Sequence, residues 1–356
     1  LKLVIQIPCF NEAEHLPETL AGLPRQIPGI ERVEVLVVDD GSTDDTARVA
    51  RACGVTRVVP LVGHQGLAAA FMTGIDAALR QGADIIVNTD ADHQYSGDDI
   101  ARLVEPIVSG RADLVIGDRQ TDGLLHFSPT KRWLQRWGSR VLRTLSRAEV
   151  RDAPSGFRAM SRNCALRLFV HNRFTYTLET VIWAGQLGLS IENVPIRVAS
   201  TTRPSRLFRS TAEYVRRAAA VVFRAYAMYR PLRLVGVLSL ALLCFGAALG
   251  TRFLYHYVKD PSYSGYIQSL VVATGAVVIG ILLLVAALLA ELIASNRRLL
   301  EELLYRVRRL ELEDAEMRAP LREGQRGATE CATTTDVPTI PEASSSETNP
   351  SRRERP

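Results

Sequence analysis

Asp90-Ala-Asp92-His-Gln94 is the stretch of this sequence best equipped for chemistry. Two carboxylates separated by one residue share one side of an extended backbone. Both can then turn oxygens toward one hard divalent cation, with Gln94 two residues further on. Oxygen ligands favour Mg²⁺ or Mn²⁺, and a nucleotide diphosphate would supply the remaining ligands. His93 lies between these residues and on such a backbone points the other way. An isolated Asp-X-Asp is more often a solvated acidic turn, so the surrounding elements must support any stronger reading.

Those elements are legible. Ile85-Ile-Val87 is a short β-branched run that suits a buried strand, so the acids fall at a strand's C-terminal edge, where open α/β sheets bind ligands. Leu3 to Ile7 reads as another strand, closed by Pro8-Cys-Phe-Asn-Glu12 and followed by a helix to about Gly22. Val33 to Val38 is a third, closed by Asp39-Asp-Gly-Ser-Thr-Asp44, with Ser42 or Thr43 placed to cap a helix through Ala52. A strand near Arg57 to Leu61, an Ala-rich helix from Gly66 to about Arg80, a helix from near Asp98 and a strand from Asp113 to Gly117 continue the alternation, and Asp118-Arg119 ends it. This spacing predicts an α/β fold: a Rossmann-like, mostly parallel sheet with helices on both faces.

The 356 residues, 47% hydrophobic, can fill one such core and leave a long remainder. Five scattered cysteines show neither a disulfide framework nor metal-ligand spacing, which fits a reducing compartment. The net charge of +5 is unevenly spread, because Lys131 to Arg233 holds 20 basic and 5 acidic side chains. No zinc finger, RNA-binding motif or helix-turn-helix accompanies that charge, so nucleic acid is set aside in favour of lipid headgroups and phosphorylated substrates.

Four elements in order, Pro8-X-X-Asn11-Glu12, Val38-Asp-Asp-Gly-Ser-Thr-Asp44, Asp90-X-Asp92-X-Gln94 and Asp152-X-X-Ser-Gly-Phe-Arg158, resemble the inverting glycosyltransferases of family 2, with the GT-A fold. The resemblance implies that Pro8, Asn11, Glu12, Asp39, Asp40 and Asp90 line the nucleotide. It implies a metal held by Asp90, Asp92 and Gln94, and catalytic parts for Asp92, Arg158, Arg119 and Arg132. Arg158 would offset charge on the departing diphosphate. Arg119, Arg132, Arg136, Arg203 and Arg206 would hold an acceptor phosphate. Arg136 is a departure, since relatives often place Ser shortly before the small residue at Gly138. Glu179 also matches a family position, with no role implied.

Beyond Arg233 the composition changes. Segments 234–257 and 266–294 are each long and apolar enough to cross a bilayer. Arginines flank the pair on both outer sides, and Tyr255, Tyr257, Tyr263 and Tyr266 cluster at the connection. The positive-inside tendency then predicts an integral membrane protein with two spans, its termini and catalytic domain in the cytoplasm. The expected organisation is a catalytic domain at 1–210, an interfacial amphipathic helix at 211–233, the hairpin at 234–294, a cytoplasmic amphipathic helix at 295–317 and a disordered tail at 318–356. In the fourth segment Leu300, Leu303, Val307 and Leu310 suit a surface helix or a short coiled coil, and with it a homo-oligomer.

Family members with this hairpin resemble polyprenyl-phosphate glycosyltransferases, which implies transfer of one sugar from a UDP- or GDP-linked donor to a lipid phosphate. Rival readings are a non-lipid acceptor, a processive synthase, and an inactive membrane-tethered binding protein. The synthase reading lacks its Gln-X-X-Arg-Trp element, since neither Arg132-Trp133 nor Arg136-Trp137 has Gln at the required spacing. If the acid pair grips a cation, Asp92→Ala loses at least about 100-fold in turnover, a loss typical of removing one transition-state charge contact. Steady-state assay of nucleotide release checks this, and full turnover of the variant would undercut the metal role given to these acids.

Overall fold

The computed structural model describes residues 1–120, 150–170, 176–199, 219–220, 223–224, 226–228, 231–259 and 267–333, with side chains described as far as residue 314. In chain order the strands are β1 (Lys2–Cys9), β2 (Arg32–Asp39), β3 (Arg57–Pro60), β4 (Ile85–Asn88), β5 (Leu114–Asp118), β6 (Arg158–Ser161) and β7 (Ile191–Pro195). The helices are α1 (Leu16–Ala21), α2 (Thr46–Ala52), α3 (Leu67–Arg80), α4 (Asp99–Val108), α5 (Arg162–Arg167), α6 (Thr177–Gln186), α7 (Pro231–Lys259) and α8 (Ile267–Thr333).

Seven strands form one sheet in the order β3-β2-β1-β4-β6-β5-β7. All neighbours are parallel except β6, which runs antiparallel to both β4 and β5. This is the mostly parallel, helix-covered sheet that the sequence pattern predicts. The central runs are apolar on both faces because both are covered. Val4, Leu36, Val38 and Ile86 share one core with Phe71, Ile75 and Leu79 of α3, Cys164 and Ala165 of α5, and Val181 and Ile182 of α6. Leu3, Ile5, Ile85 and Val87 face the opposite layer, where Ile100, Leu103 and Val104 of α4 meet them. Ile7 and Val37 cover the ends of α1 and α2 through Leu16 and Ala50.

Parallel pairing aligns the strand ends that matter. Cys9 is level with Asp39, and Gln6 with Asn88. β6 arrives from the opposite direction, so its first residue, Arg158, is the one level with Asn88. The loop before β6 therefore reaches the same edge as the loops after β1, β2 and β4. The expected helix cap differs: α2 begins at Thr46 with Asp45 at its N-cap and no side-chain capping bond. Ser42 and Thr43 instead serve Asn11, as described below.

α7 and α8 are long and apolar enough to cross a membrane, and most of their surface is not covered by protein. They pack through small residues. The Ser239 hydroxyl donates to the Gly280 carbonyl at 2.8 Å, and Gly246 lies against Ala273 and Val277. α8 does not stop where the apolar run stops. Arg297–Glu301 and Arg306–Glu302 pairs at helical spacing support its continuation. It extends to Thr333, whereas the sequence suggests a separate helix at 295–317 and an unstructured tail from 318. From 295 to Ala319 it is rich in Leu, Glu and Arg with no Gly or Pro, so nothing local breaks it there, whereas Pro320, Gly324 and Gly327 fall within its last turns.

The far part of α8 meets the sheet domain. Arg167 lies over the Tyr305 ring at 4.3 Å, and Arg308 donates to the Leu168 carbonyl at 3.3 Å and to Asp76 at 3.5 Å. Leu312 is buried in the core cluster that contains Phe71 and Leu79. Of the segment 211–233, only parts fall within the described residues; those at 219–220, 223–224 and 226–228 are helical.

A Cβ at Gly246 would lie 2.7 Å from Val277 Cγ2 and 3.0 Å from the Ala273 carbonyl oxygen, and the carbonyl cannot move aside. Gly246→Val is therefore expected to destabilise the helix pair by about 1–3 kcal/mol. The check is thermal melting in detergent, where an unchanged midpoint would disprove this packing.

Candidate active site

The loops after β1 and β2 are stitched together before any ligand enters. Asn11 adopts a left-handed backbone, with φ of 54°, and its side-chain oxygen accepts from the Thr43 amide at 2.8 Å. Its own amide donates to Ser42 Oγ at 2.9 Å. The Glu12 amide donates to Thr46 Oγ1 at 3.0 Å, and the Ala13 amide to Asp44 at 3.2 Å. Burial works to raise the pKa of Asp44, but hydrogen bonds from the Thr46 side chain and from backbone amides outweigh it and hold the carboxyl below its ordinary value. Asn11 is thus a latch, and its amide orients the wall that carries Glu12.

The two acids after β2 divide the work. Asp40 is buried, its carboxylate accepts from the Gln65 amide at 2.8 Å and the Gly66 amide at 2.9 Å, and His64 Nδ1 lies 2.9 Å from it. This sets the entry to α3, so the nucleotide contact expected of Asp40 is not where its oxygens point. Asp39 accepts from the Ser42 amide at 3.1 Å in a tight turn at the strand end. Pro8 is level with Val38, just behind it.

The acid pair after β4 sits on a turn rather than on extended backbone. Residues 91 and 92 form the turn, and His93 is left-handed at φ 54°. The Gln94 amide donates to Asp92 Oδ1 at 3.2 Å, which closes the turn around the exposed Asp92. His93 does face away, toward Glu18 of α1 at 3.8 Å, but because of the turn and not because of strand alternation.

Asp90 is gripped from behind. Gly156 lies so close that a Cβ there would be 2.8 Å from Asp90 Oδ2, which only glycine permits. Beneath it is a buried polar layer: Gln6 Nε2 donates to Asn88 Oδ1 at 2.9 Å, and Asn88 Nδ2 donates to the Gly156 carbonyl at 2.9 Å and to the Tyr176 hydroxyl at 2.8 Å. Tyr176 stacks on Phe71 with ring centres 3.8 Å apart, and Tyr95 stacks on Phe157 at 4.9 Å. Burial, and then the charge of Asp92, raise the Asp90 pKa to about 6; Arg119, Arg158 and the Tyr95 hydroxyl act in the opposite sense.

The basic half differs from the sequence reading. Arg158 is fully buried, and its guanidinium donates to the carbonyls of Thr177, Ala153 and Ser155 and to Thr180 Oγ1. It ties the 152–155 loop to α6 behind Asp90, and its donors face inward rather than toward a departing diphosphate. Arg119 is clamped to Asp152 by two parallel bonds of 2.7 and 2.9 Å, an arrangement that raises its pKa further. Two of its nitrogens are therefore engaged, and its charge is fixed in place beside Asp90. Arg132, Arg136, Arg203 and Arg206 lie outside the described residues. Glu179 is half-buried in the first turn of α6.

Sequence reading missed Asn88, Tyr95, Tyr176 and the close approach of Gly156. It also missed Arg197, whose amide donates to buried Asp99 at 2.7 Å while Ala199 pairs with the Gln94 carbonyl at 3.0 Å. Tyr95 and Asn88 flank the acid motif directly, so adjacency was the available signal. Tyr176 and Arg197 are distant in sequence and gave none.

The donor set fits a hard cation shared with another molecule. Among the described residues no group of three His, Cys, Asp or Glu side chains could hold an ion unaided. Asp90, Asp92 and the Gln94 side chain would bind one together with phosphate oxygens. Cys9 is nearby, but burial and then Glu12 and Asp39 push its thiol pKa well up, so it is no thiolate nucleophile.

Residues 4–169 match the family model described as Glycosyl transferase family 2. Three relatives are each similar over about half of the chain. The undecaprenyl-phosphate mannosyltransferase of Micrococcus luteus is 31% identical, over 55% of this chain and 83% of that protein. The polyprenol monophosphomannose synthase of Mycolicibacterium smegmatis is 29% identical, over 55% and 76%. The UDP-N-acetylglucosamine–dolichyl-phosphate N-acetylglucosaminyltransferase of Methanococcus voltae is 28% identical, over 55% and 84%.

The raised pKa of Asp90 has a definite sign. Its folded form favours the proton, so its contribution to stability is full below about 3.8 and is lost as pH rises through about 6. Asp90→Asn is expected to stabilise the metal-free protein at pH 7.5 by about 1–3 kcal/mol, and the gain should shrink at pH 5. Paired melts at the two pH values check this, and a gain that grew on acidification would refute it.

Proposed function

Because this chain belongs to glycosyl transferase family 2, we propose that it transfers a single sugar from a UDP- or GDP-linked donor to a polyprenyl phosphate at the cytoplasmic membrane face. The observation that carries the reading is the Asp90–Asp92 turn at the end of β4, backed by a sealed polar layer and faced by the clamped Arg119. Relatives named for lipid-phosphate acceptors and a C-terminal pair of long apolar helices support the choice of acceptor.

In this reading Glu12 and Asp39 accept hydrogen bonds from the nucleoside, on the wall latched by Asn11. Asp90, Asp92 and Gln94 hold Mg²⁺ or Mn²⁺ against the diphosphate. When bound, such an ion stabilises negative charge on the departing diphosphate. Arg119 adds a fixed positive charge that Asp152 keeps oriented, and Arg158 positions the loop carrying Gly156. An acceptor phosphate monoester is already largely ionised at neutral pH, with a second pKa of about 6, so no strong general base is required. Its oxygen bonds to the anomeric carbon as the bond from that carbon to the diphosphate oxygen breaks. The configuration inverts and the nucleoside diphosphate leaves. Arg132, Arg136, Arg203 and Arg206 are assigned to the acceptor phosphate. α7 and the apolar part of α8 span the membrane, with both outer ends in the cytoplasm.

A panel of radiolabelled UDP- and GDP-sugars, with protein-containing membranes, added polyprenyl phosphate and Mg²⁺ or Mn²⁺, tests this. One donor is expected to yield an organic-extractable product with the mass of a lipid-phosphate monosaccharide, and chelation should abolish it. Donor consumption that depends only on a sugar-alcohol acceptor, with no labelled lipid, would overturn the assignment.

A further inference from the structure

α8 docks on the sheet domain through its polar part. Arg308 meets Asp76 of α3, whose carboxylate also accepts from Arg80 at 2.9 Å. Arg297 and Arg298, the first cationic residues after the apolar run, are tied to Glu301 and Glu291. Unbroken helix of about 15 Å separates Arg298 from Arg308.

We infer that the part of α8 beyond Arg297 is a rigid spacer whose foot, Tyr305, Arg308 and Leu312, holds the sheet domain at a fixed height above the membrane surface. The foot combines three kinds of contact: Arg167 on the Tyr305 ring at 4.3 Å, Arg308 on both Asp76 and the Leu168 carbonyl, and Leu312 in the core. The ion pair sits on residues remote from the acid turn, so the foot takes no part in the chemistry. A helix without interruption transmits position along its axis, whereas a flexible linker of the same length would let the site wander over tens of ångströms. The assignment rests on the proposed lipid acceptor, because only a reactant confined to the bilayer makes the height of the site matter.

The test uses the full chain in liposomes with two acceptors: a long polyprenyl phosphate embedded in the bilayer and a short water-soluble prenyl phosphate. Seven helix-forming residues inserted between Arg298 and Leu304 add about 10 Å with little rotation. The expected result is at least a tenfold loss of kcat/KM with the embedded acceptor and less than a twofold change with the soluble one. Tyr305→Ala combined with Arg308→Ala should give the same split without altering helix length. A height readout is independent of activity: a dye on exposed Cys53, with Cys244 and Cys331 replaced, reports energy transfer to a bilayer-surface acceptor. The insertion should move it outward by about 10 Å. Unchanged height, or equal effects on both acceptors, would overturn the spacer. Wild-type protein that uses neither prenyl phosphate would instead overturn the lipid reading, while the height measurement still decides the spacer.

Discussion

A carboxylate held at the end of a buried strand, with a second carboxylate two residues away, is a charge arrangement a folded chain would shed unless something held it. Around Asp90 the holding is done by close packing and neutral dipoles. Gly156 presses against its oxygens, Asn88 fixes the Gly156 carbonyl, and Gln6 and Tyr176 fix Asn88. Arg119 and Arg158 lend positive potential from a distance, without forming a pair that would cancel the acid's charge. The site is therefore electrically unfinished in the protein alone, the condition under which a cation and an anionic diphosphate bind as a unit.

The motif residues separate into those that face a ligand and those that build the wall. Asp40 and Arg158 belong to the most recognisable stretches, yet each has its polar atoms turned into the protein. Asp40 sets the start of α3, and Arg158 binds a loop to α6. A buried guanidinium met by carbonyl oxygens is costly to leave unsatisfied, which makes it an effective fastener for a loop that must hold its shape. A place in a motif can thus reflect geometry one layer behind the chemistry.

Much of this was legible in the sequence because local signals coincide with the architecture. The apolar runs of β1, β2 and β4 announce strands, and parallel strands deliver their C-terminal loops to one edge, so Glu12, Asp39, Asp90 and Asp92 could be placed together before any coordinates. What was not legible depends on contacts between distant segments. The turn at Asp92 and His93, the burial of Arg158, the Tyr176 hydroxyl beneath Asp90 and the Arg197–Asp99 contact are set by tertiary packing, which has no period to read. β6 and β7 are short strands, and neither shows enough alternation to be recognised. The helix at 295–317 was read, but its continuity with the apolar run was obscured by the change in composition.

The reversed direction of β6 has a consequence for how such a protein can diversify. Strand β5 leaves the sheet at the same edge from which β6 re-enters, so the intervening stretch forms a closed excursion whose two ends are already neighbours. Residues can be added to or removed from it without shifting the register of any strand, since lengthening a loop whose ends are pinned costs little free energy. Changes in its length would leave the edge built by β1, β2 and β4 untouched.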